Sequence, residues 1–355
     1  MRKSCFASSV LVLAIALGAS VALGCSRVTW LGPDGLVITG RSMDWPYGFN
    51  SHLFIIPRGT DQDGAGGINS LKWTTKFGAL IVAGTTDPAG PIDGAFDGLN
   101  EKGLAANLLY LAECDFGPAP QGGKPRISFA GWLQQVLTSY ATVDEVVKAL
   151  KDDPYYVVPI AFGPGKAAHP TIHLSVSDAS GDSAIFEYLK GKLVIHHGRE
   201  FQVMTNSPTY DQQLVLNAYW TGQDRRKTLP GSIQSPDRFV RASYFLKELP
   251  QTNDVRQSLA GVFSVMRNVS VPWGTPDKDH PNIAPTYWRT VIDQKNLRYY
   301  FESALSPNLV WADLSKIDFS SGSGIRAVRV EGNDEIIGNI NGAFKPTKPI
   351  QFLAP

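Results

Sequence analysis

Cysteine is scarce in this chain, which has only three among its 355 residues. Cys5 lies in a short N-terminal segment of small and apolar residues, so Cys25 and Cys114 are the two that would belong to a folded domain. Exported proteins that depend on disulfides are much richer in cysteine. The chain is therefore expected to fold around a hydrophobic core and not around a disulfide framework.

Long apolar runs and an excess of one charge are missing as well. The run Val10–Leu17 is too short for a membrane span, which needs about 20 residues, and no second run of that kind follows. Basic residues number 33 and acidic residues 32. Basic and acidic residues are thus almost equal in number, which does not indicate a basic surface for nucleic acid or for an anionic membrane. We expect neither as a partner.

Several catalytic and metal-binding motifs are absent. The sequence contains no H-E-x-x-H, G-x-S-x-G or G-x-x-x-x-G-K-[ST] pattern. His169 and His173 are four residues apart, but Pro170 and the alternating pattern after it favour a strand. In a strand the two rings would lie about 13 Å apart, too far to share a metal ion. We expect neither a metal site nor a cofactor.

Residues 1–24 have the features of a cleaved export signal. Two basic residues precede the apolar run, and small residues at Ala22 and Gly24 suit a cleavage site directly before Cys25. Cleavage would leave a single domain, 25–355, with 31 basic and 32 acidic residues. We expect that domain to be periplasmic or secreted.

Cleavage at that point would make Cys25 the first residue of the mature chain. Its thiol would then be on the same residue as a free α-amine, which titrates near about 7.7–8.0 and can accept the thiol proton. A thiol with its own base is the core of an N-terminal-nucleophile hydrolase. A bridge to Cys114 would block that thiol, so we expect both cysteines to be free.

Two alternatives stay open for the same cysteine. Bacterial lipoproteins also begin at a cysteine, acylated on sulfur and amine, and their signals usually have Leu three residues before it. Here the order is Ala22-Leu23-Gly24, with the apolar and small positions interchanged. The competing hypotheses are a non-catalytic, lipid-anchored binding protein and a cysteine without a function. An acylated amine cannot act as a base.

Strand-like and helical segments alternate in blocks. Apolar periodicity predicts strands at 37–39, 53–56, 73–83, 171–176, 184–188, 193–196, 202–205, 287–292 and 297–301, and helices at 129–140, 142–150, 254–266 and from Ser235 onwards. Paired helices between blocks of strands argue against a doubly wound parallel sheet. They favour an α+β fold in which two antiparallel sheets lie between helical layers.

Four polar residues farther along the chain are candidates for chemistry. Arg41 and Asp44 follow a predicted strand, and a bulge or turn would be needed to bring both towards the chain start, because strand positions alternate between faces. Near an N-terminal cysteine, the carboxylate would orient the amine and the guanidinium would favour thiolate. Asn206 ends a strand, where its amide could donate to an oxyanion. Arg238 lies near a helix start, which the helix dipole disfavours for a cation. Taken singly, Arg41 and Asp44 also fit a surface ion pair, Asn206 fits a turn residue, and Arg238 fits a solvent-exposed side chain.

In their order along the chain, these segments resemble the choloylglycine hydrolase family, which includes penicillin V acylases and conjugated bile acid hydrolases. The resemblance covers the mature chain. It is carried by Cys25 and by the segments GRSMD (40–44), FIIPR (54–58), DGLNEKGL (97–104), TNSPT (205–209) and RFVRA (238–242). One such segment would be a weak signal, whereas the ordered set is specific.

The resemblance implies a four-layer αββα sandwich and the hydrolysis of a linear amide through a thioester, without a cofactor. It also implies that Cys25 is the nucleophile and that its own amine is the base. Arg41 and Asp44 match the Arg and Asp that flank this cysteine in the family, and Arg238 matches a second active-site Arg.

Further implications concern the oxyanion and the substrate. In the family, an Asn at the position of Asn206 and the backbone N–H at the position of Tyr110 hold the oxyanion. A tyrosine at position 110, in a chain with an export pattern, resembles the penicillin V acylases of the Gram-negative branch. The resemblance implies that Trp45 and Tyr110 line an apolar acyl pocket.

The expected substrate is thus a small-molecule amide of the penicillin V type. N-acyl-homoserine lactones and bile salt conjugates stay open as alternatives, because apolar pockets discriminate only weakly between acyl groups. The segment between Asn206 and Arg238, 31 residues long, carries oligomer contacts in several family members. Its length leaves open whether a homo-oligomer would be a tetramer or a dimer.

Overall fold

A computed structural model describes residues 24–166, 168, 170–224, 228–274 and 284–355. The helices in these ranges are α1 (Phe129–Ser139), α2 (Val143–Leu150), α3 (Tyr210–Thr221), α4 (Ser235–Glu248) and α5 (Val255–Asn268). The strands in the same ranges are β1 (Ser26–Leu31), β2 (Val37–Asp44), β3 (His52–Ile56), β4 (Asp61–Asp63), β5 (Lys72–Thr74), β6 (Ala79–Gly84), β7 (Gly94–Asn100), β8 (Ala105–Tyr110), β9 (Arg126–Ser128), β10 (Tyr156–Val158), β11 (Ile172–Ser177), β12 (Ser183–Leu189), β13 (Lys192–His197), β14 (Val203–Met204), β15 (Thr286–Asp293), β16 (Arg298–Ser303), β17 (Leu309–Asp313), β18 (Arg326–Arg329), β19 (Gly338–Asn339) and β20 (Lys345–Pro346). No helix within these ranges has the length and apolar character needed to cross a membrane.

Two large sheets form the centre of the protein. One has seven strands in the order β14-β1-β2-β15-β16-β17-β19, and the other has nine in the order β13-β12-β11-β8-β7-β6-β3-β18-β20. Neighbouring strands are antiparallel, except that β19 pairs with β17 in parallel. Helices α4 and α5 pack on the seven-stranded sheet, and α1 packs on the nine-stranded sheet. The predicted αββα sandwich is confirmed.

Strand β2 is the central element for the site. All eight of its residues are buried, because one face lies under α5 and the other contacts the second sheet, where Thr39 meets Ser177 and Arg41 donates to the Leu108 carbonyl. At Gly40 the helix passes so closely that a Cβ would lie 2.7 Å from Met266 Cγ and 2.9 Å from Val262 Cγ1. Glycine at this position is therefore a packing requirement.

Most of the predicted elements are present, and three differ. The predicted strand 73–83 is divided into β5 and β6 by the intervening residues 75–78. Helix α3 was not predicted, because its apolar residues form no single stripe and several of them are exposed. The Ser235-Pro236-Asp237 pattern predicts Ser235 as the N-cap of a helix, but Ser235 is the first residue of α4 and Gln234 is the N-cap.

Both cysteines in the described part of the chain are buried free thiols, as expected. Burial raises the pKa of the Cys114 thiol to about 12. That side chain is therefore a core residue and not a second reactive thiol.

We expect Gly40→Ala to lower the free energy of unfolding by about 1–3 kcal/mol, because the new methyl group overlaps atoms of α5. Chemical denaturation measures this directly. Gly342→Ala is the matched control, since a Cβ there meets no atom within 4 Å. In a double mutant with Val262→Ala, the loss should be smaller than the sum of the two single losses. Equal effects at Gly40 and Gly342 would contradict the close approach of α5.

Candidate active site

Strand pairing brings Cys25 next to residues that are distant in sequence. Cys25 directly precedes β1, which pairs with β2 on one side and with β14 on the other. Strand β2 ends at Asp44, and β14 leads into Asn206. The thiol is buried, with 2% of the residue exposed, so its polar neighbours decide its chemistry.

The Asn206 side chain binds both the main chain of Cys25 and the other sheet. Its Oδ1 accepts from the Cys25 N–H at 2.5 Å and from Arg238 Nη2 at 2.8 Å. Its Nδ2 donates to the Tyr110 carbonyl at 2.7 Å. These partners fix the orientation of the amide, because only its oxygen can accept from the two donors.

Arg238 is buried near the start of α4 and points into the site. Its Nη1 donates to the Cys25 carbonyl at 2.7 Å and to Ser26 Oγ at 2.5 Å, and its Nε donates to the Ile233 carbonyl at 2.9 Å. The guanidinium lies 3.8 Å from Asp44 Oδ2. These contacts explain a cation in a position that the helix dipole disfavours.

Arg41 and Asp44 extend from opposite faces of β2, as alternation along a strand implies, and no bulge in β2 brings them to one face. Where the ladder shifts, the shift lies in the partner strand β15, between Thr286 and Trp288. Both residues still reach Cys25. Arg41 Nη2 lies 3.8 Å from Cys25 Sγ on the side of the other sheet, and the Asp44 main-chain carbonyl lies 3.8 Å from the same sulfur.

The Asp44 carboxylate faces the peptide bond that precedes the thiol. Its Oδ1 accepts from Thr286 Oγ1 at 2.5 Å, and Ser42 Oγ lies 3.4 Å from its Oδ2. A Cβ on Gly24 would lie 3.3 Å from that Oδ2. Burial raises the pKa of Asp44 to about 6, against the opposing effect of Arg238.

Burial also dominates the electrostatics of the thiol. With Gly24 still attached, burial raises the pKa of Cys25, Arg41 opposes that rise, and Asp44 adds to it. Asp97 Oδ2 lies 4.0 Å from the Arg41 guanidinium on its far side. Burial raises the pKa of Asp97 to about 6 in spite of this cation.

Strand β8 presents its main chain to the thiol. The Leu111 N–H donates to the segment that enters β11, and main-chain groups of successive strand residues point in opposite directions. The Tyr110 N–H therefore points to the other side, where the Tyr110 carbonyl binds Asn206 and the Leu108 carbonyl accepts from Arg41 Nη2 at 3.0 Å. This N–H therefore faces the space between the side chains of Asn206 and Arg41.

An apolar cavity lies beside the thiol. Its aromatic lining consists of Trp45, Phe49, Phe96, Tyr110, Phe129 and Phe162. Trp45 stacks on Phe162 at 5.6 Å and meets Tyr110 edge-on at 6.3 Å. Its free volume of about 30 Å³ holds one or two water molecules, so a phenyl-sized group needs the rings to shift. The two residues predicted for an acyl pocket lie together here.

The structure thus brings together every residue that the sequence singled out for the site, and it adds others. Thr286, Ser235 and Phe162 belong to no motif that would have identified them. Ser235 Oγ accepts from the Asn206 N–H at 2.8 Å, which explains why its hydroxyl does not cap the helix. Asp97 begins one of the family segments, but its ion pair beneath the thiol was not expected.

The histidines follow a separate pattern. His173 is buried, and its Nδ1 lies 3.1 Å from a carboxylate oxygen of Glu187. Burial acts to raise the pKa of Glu187, but hydrogen bonds with His173 and His196 outweigh it and lower the pKa to about 2. His169 lies outside the described residues. Within the ranges given above, no three His, Cys, Asp or Glu side chains are placed to bind one metal ion.

We expect Arg41→Met to slow the alkylation of Cys25 at fixed pH and Asp44→Asn to accelerate it. Loss of the Arg41 cation raises the thiol pKa by about 1 to 3 pH units, and loss of the Asp44 carboxylate lowers it. The thiolate fraction therefore changes in opposite directions in the two variants. The pH dependence of iodoacetamide modification, located by mass spectrometry, measures both. Arg27→Met removes another buried arginine and serves as the control. Shifts of the same sign in the two active-site variants would refute the arrangement.

Comparison with known proteins identifies the family of this chain. Residues 25–327 match the sequence model of the linear amide C–N hydrolases, choloylglycine hydrolase family. Penicillin V acylase from Pectobacterium atrosepticum is 44% identical over 359 aligned residues, which cover 96% of this chain and 95% of that protein. Bile salt hydrolase/transferase from Clostridium perfringens is 28% identical, with 78% of this chain and 88% of that protein covered.

Two solved structures extend the comparison. Penicillin V acylase from Agrobacterium tumefaciens superposes with a TM-score of 0.85 at 45% identity, covering 93% of this chain and all of that one. A mutant of conjugated bile acid hydrolase from Clostridium perfringens gives a TM-score of 0.73 at 23% identity, over 88% of this chain and 98% of that one, and so shares the fold. The chain belongs to the choloylglycine hydrolase family and is an enzyme that hydrolyses linear amide C–N bonds.

Proposed function

We propose that this enzyme is a penicillin V acylase-like hydrolase whose nucleophile is Cys25, exposed at the N-terminus when the chain is cleaved before it. One observation carries the proposal. Cys25 lines the aromatic cavity with its sulfur beside the Arg41 guanidinium, while its nitrogen is held by the Asn206 amide. A thiol and a nitrogen oriented separately on one residue suit a nucleophile with its own base.

Cleavage before Cys25 is supported by three features. The preceding residues have the pattern of an export signal, the family match begins at residue 25, and Gly24 packs against a buried carboxylate. A free amine at this point would keep its contact with Asn206 and gain Asp44 as a neighbour. We infer that residues 1–24 are a signal peptide, that 25–355 is one domain, and that the enzyme acts in the periplasm or outside the cell.

The proposed reaction has two halves. The α-amine of Cys25 takes the thiol proton as the sulfur bonds to the amide carbon, and it gives that proton to the nitrogen of the leaving amine as the C–N bond breaks. Water then attacks the thioester, loses a proton to the same amine, and the C–S bond breaks. The carboxylic acid leaves and the thiol regains its proton. Asp44 orients the amine, and Arg41 and Arg238 stabilise negative charge.

Two donors are assigned to the oxyanion of the tetrahedral intermediate. The Asn206 amide uses one Nδ2 hydrogen for the Tyr110 carbonyl and has a second for the substrate. The Tyr110 N–H faces the same space. Preorganised donors of this kind each contribute about 3 kcal/mol of transition-state stabilisation.

The acyl group is proposed from the cavity. Its lining is almost entirely apolar and mostly aromatic, which suits a flat phenoxyacetyl group once the rings shift to admit it. The relatives that are 44% and 45% identical to this chain are named penicillin V acylases.

Outside the site, α3 exposes 70% of Val215 and 66% of Tyr219. This apolar surface supports a homo-oligomer, either a dimer or a tetramer.

The test is turnover of penicillin V, an N-acyl-homoserine lactone and a glycine-conjugated bile acid by the purified enzyme. We expect penicillin V to have the highest kcat/KM, and Cys25→Ala to lower it by at least about 10³-fold, because the nucleophile is lost. Cys114→Ser is the matched control and should keep wild-type turnover. Intact mass of each variant shows whether the chain begins at residue 25, so a processing defect is not mistaken for lost catalysis. Wild-type turnover by Cys25→Ala would rule the proposal out.

A further inference from the structure

Glu331 is a buried carboxylate outside every motif of the site. Only 6% of the residue is exposed, and it lies just beyond the family match, which ends at residue 327. Among the described residues, no Lys, Arg or His forms an ion pair with it. A buried carboxylate without a cation needs hydrogen-bond donors. The position of those donors shows which segment of the chain the carboxylate fixes.

The donors to Glu331 all come from the loop between β2 and β3. Its Oε2 accepts from the Phe49 N–H at 3.4 Å, the Ser51 N–H at 3.1 Å and Ser51 Oγ at 2.6 Å. The N–H groups of Val330 and Glu331 donate in return to the Ser51 carbonyl. A Cβ on Gly48 would lie only 2.1 Å from Oε1, so the loop closes tightly around the carboxylate.

This loop carries one wall of the acyl cavity. The Phe49 ring lines the cavity and lies 5.8 Å from the ring of Trp45 and 4.7 Å from that of Phe96. The next residue, Asn50, has a φ of 47°, in a region that residues other than glycine seldom occupy and that needs support from neighbours. Glu331 binds the main chain on both sides of that residue.

A second line of contacts leads from Glu331 to the thiol. Ser51 Oγ, which donates to Glu331, accepts from Trp288 Nε1 at 3.2 Å. The Arg41 guanidinium lies over the ring of Trp288, 4.4 Å from its centroid, and Arg41 contacts the sulfur. One carboxylate therefore supports both the aromatic wall and the ring beneath the catalytic cation.

We propose that Glu331 is a positioning residue that fixes the aromatic wall of the acyl cavity and thereby sets the preference for aromatic over linear acyl groups. The proposal rests on the proposed function. Without the carboxylate, the three donors of the Phe49 loop lose their acceptor, and the Phe49 ring is no longer held in the position where it would meet a flat acyl ring. A linear acyl chain adapts to the altered wall, whereas an aryl group does not.

The test compares kcat and KM for penicillin V and for an N-octanoyl amide. Glu331→Ala should lower kcat/KM for penicillin V by about tenfold, mainly through KM, and change the octanoyl amide by less than about threefold. Glu331→Gln keeps an acceptor oxygen and should restore most of the selectivity. An unchanged ratio in folded Glu331→Ala overturns the proposal, and so does a Gln variant no more selective than the Ala variant.

A matched control separates positioning from simple loss of a buried acid. Asp178 is also buried and accepts from the Val143 N–H at 2.9 Å and from Ser180 N and Oγ at 2.8 and 2.5 Å. Asp178→Asn should lower stability and leave the selectivity ratio unchanged. If Glu331→Ala does not fold, Ser51→Ala decides. It removes one of the contacts and should shift the ratio in the same direction by about threefold, whereas no shift overturns the proposal.

A readout without catalysis keeps this inference separate from the proposed function. The rates of Cys25 modification by N-phenylmaleimide and N-octylmaleimide are measured on wild type and Glu331→Ala. If wild type hydrolyses none of the amides, the proposed function fails, yet a fall in the aryl-to-octyl rate ratio would still support Glu331. An unchanged ratio would overturn the role of Glu331 whether or not the enzyme turns over penicillin V.

Discussion

The amide of Asn206 is the contact on which the arrangement of this site depends. Its oxygen binds the nitrogen of Cys25 and the guanidinium of Arg238, and its nitrogen binds the Tyr110 carbonyl in the opposite sheet. Cys25 and Arg238 are buried, and the contact with the Tyr110 carbonyl is partly buried. Leaving one such group unpaired costs about 1–3 kcal/mol. The side chain proposed to hold the oxyanion is therefore also the one that sets the thiol relative to the cavity.

Burial is the second constraint, and it acts against reactivity. It raises the pKa of Cys25 in spite of Arg41, and it raises the pKa of Asp44 in spite of Arg238. A thiol in this environment stays protonated until a base takes its proton. In the proposed mechanism, an α-amine on the same residue would supply that base without a shift in its own pKa, so the proposed catalysis requires the proposed cleavage before Cys25.

The sequence was sufficient for the residues and insufficient for their geometry. Cys25, Arg41 and Asp44 could be found because a sequence pattern typical of export signals and a family segment mark them. Alternation along a strand places Arg41 and Asp44 on opposite faces of β2. That both still approach Cys25 could not be foreseen, since Thr286, which binds the Asp44 carboxylate, lies 242 residues farther along the chain. Glu331 gave no signal, because a single acid in a polar turn resembles any exposed one.

The fold also divides into elements that the sequence predicts and elements that depend on tertiary contacts. The helices with clear apolar periodicity were predicted, and α1, α2 and α5 are present close to the expected bounds. Helix α3 was missed because its apolar residues face several directions and its place depends on tertiary contacts. There, the buried Gln213 donates to the Asn206 carbonyl at 3.1 Å, a contact that no local pattern predicts.

Mass spectrometry of the enzyme quenched with acid during turnover of penicillin V tests the central claim most directly. The account predicts a mature chain that begins at Cys25, with a phenoxyacetyl group bound as a thioester to that residue and a free α-amine beside it. An acyl group on any other residue, or a chain whose N-terminus is blocked or lies elsewhere, would contradict it.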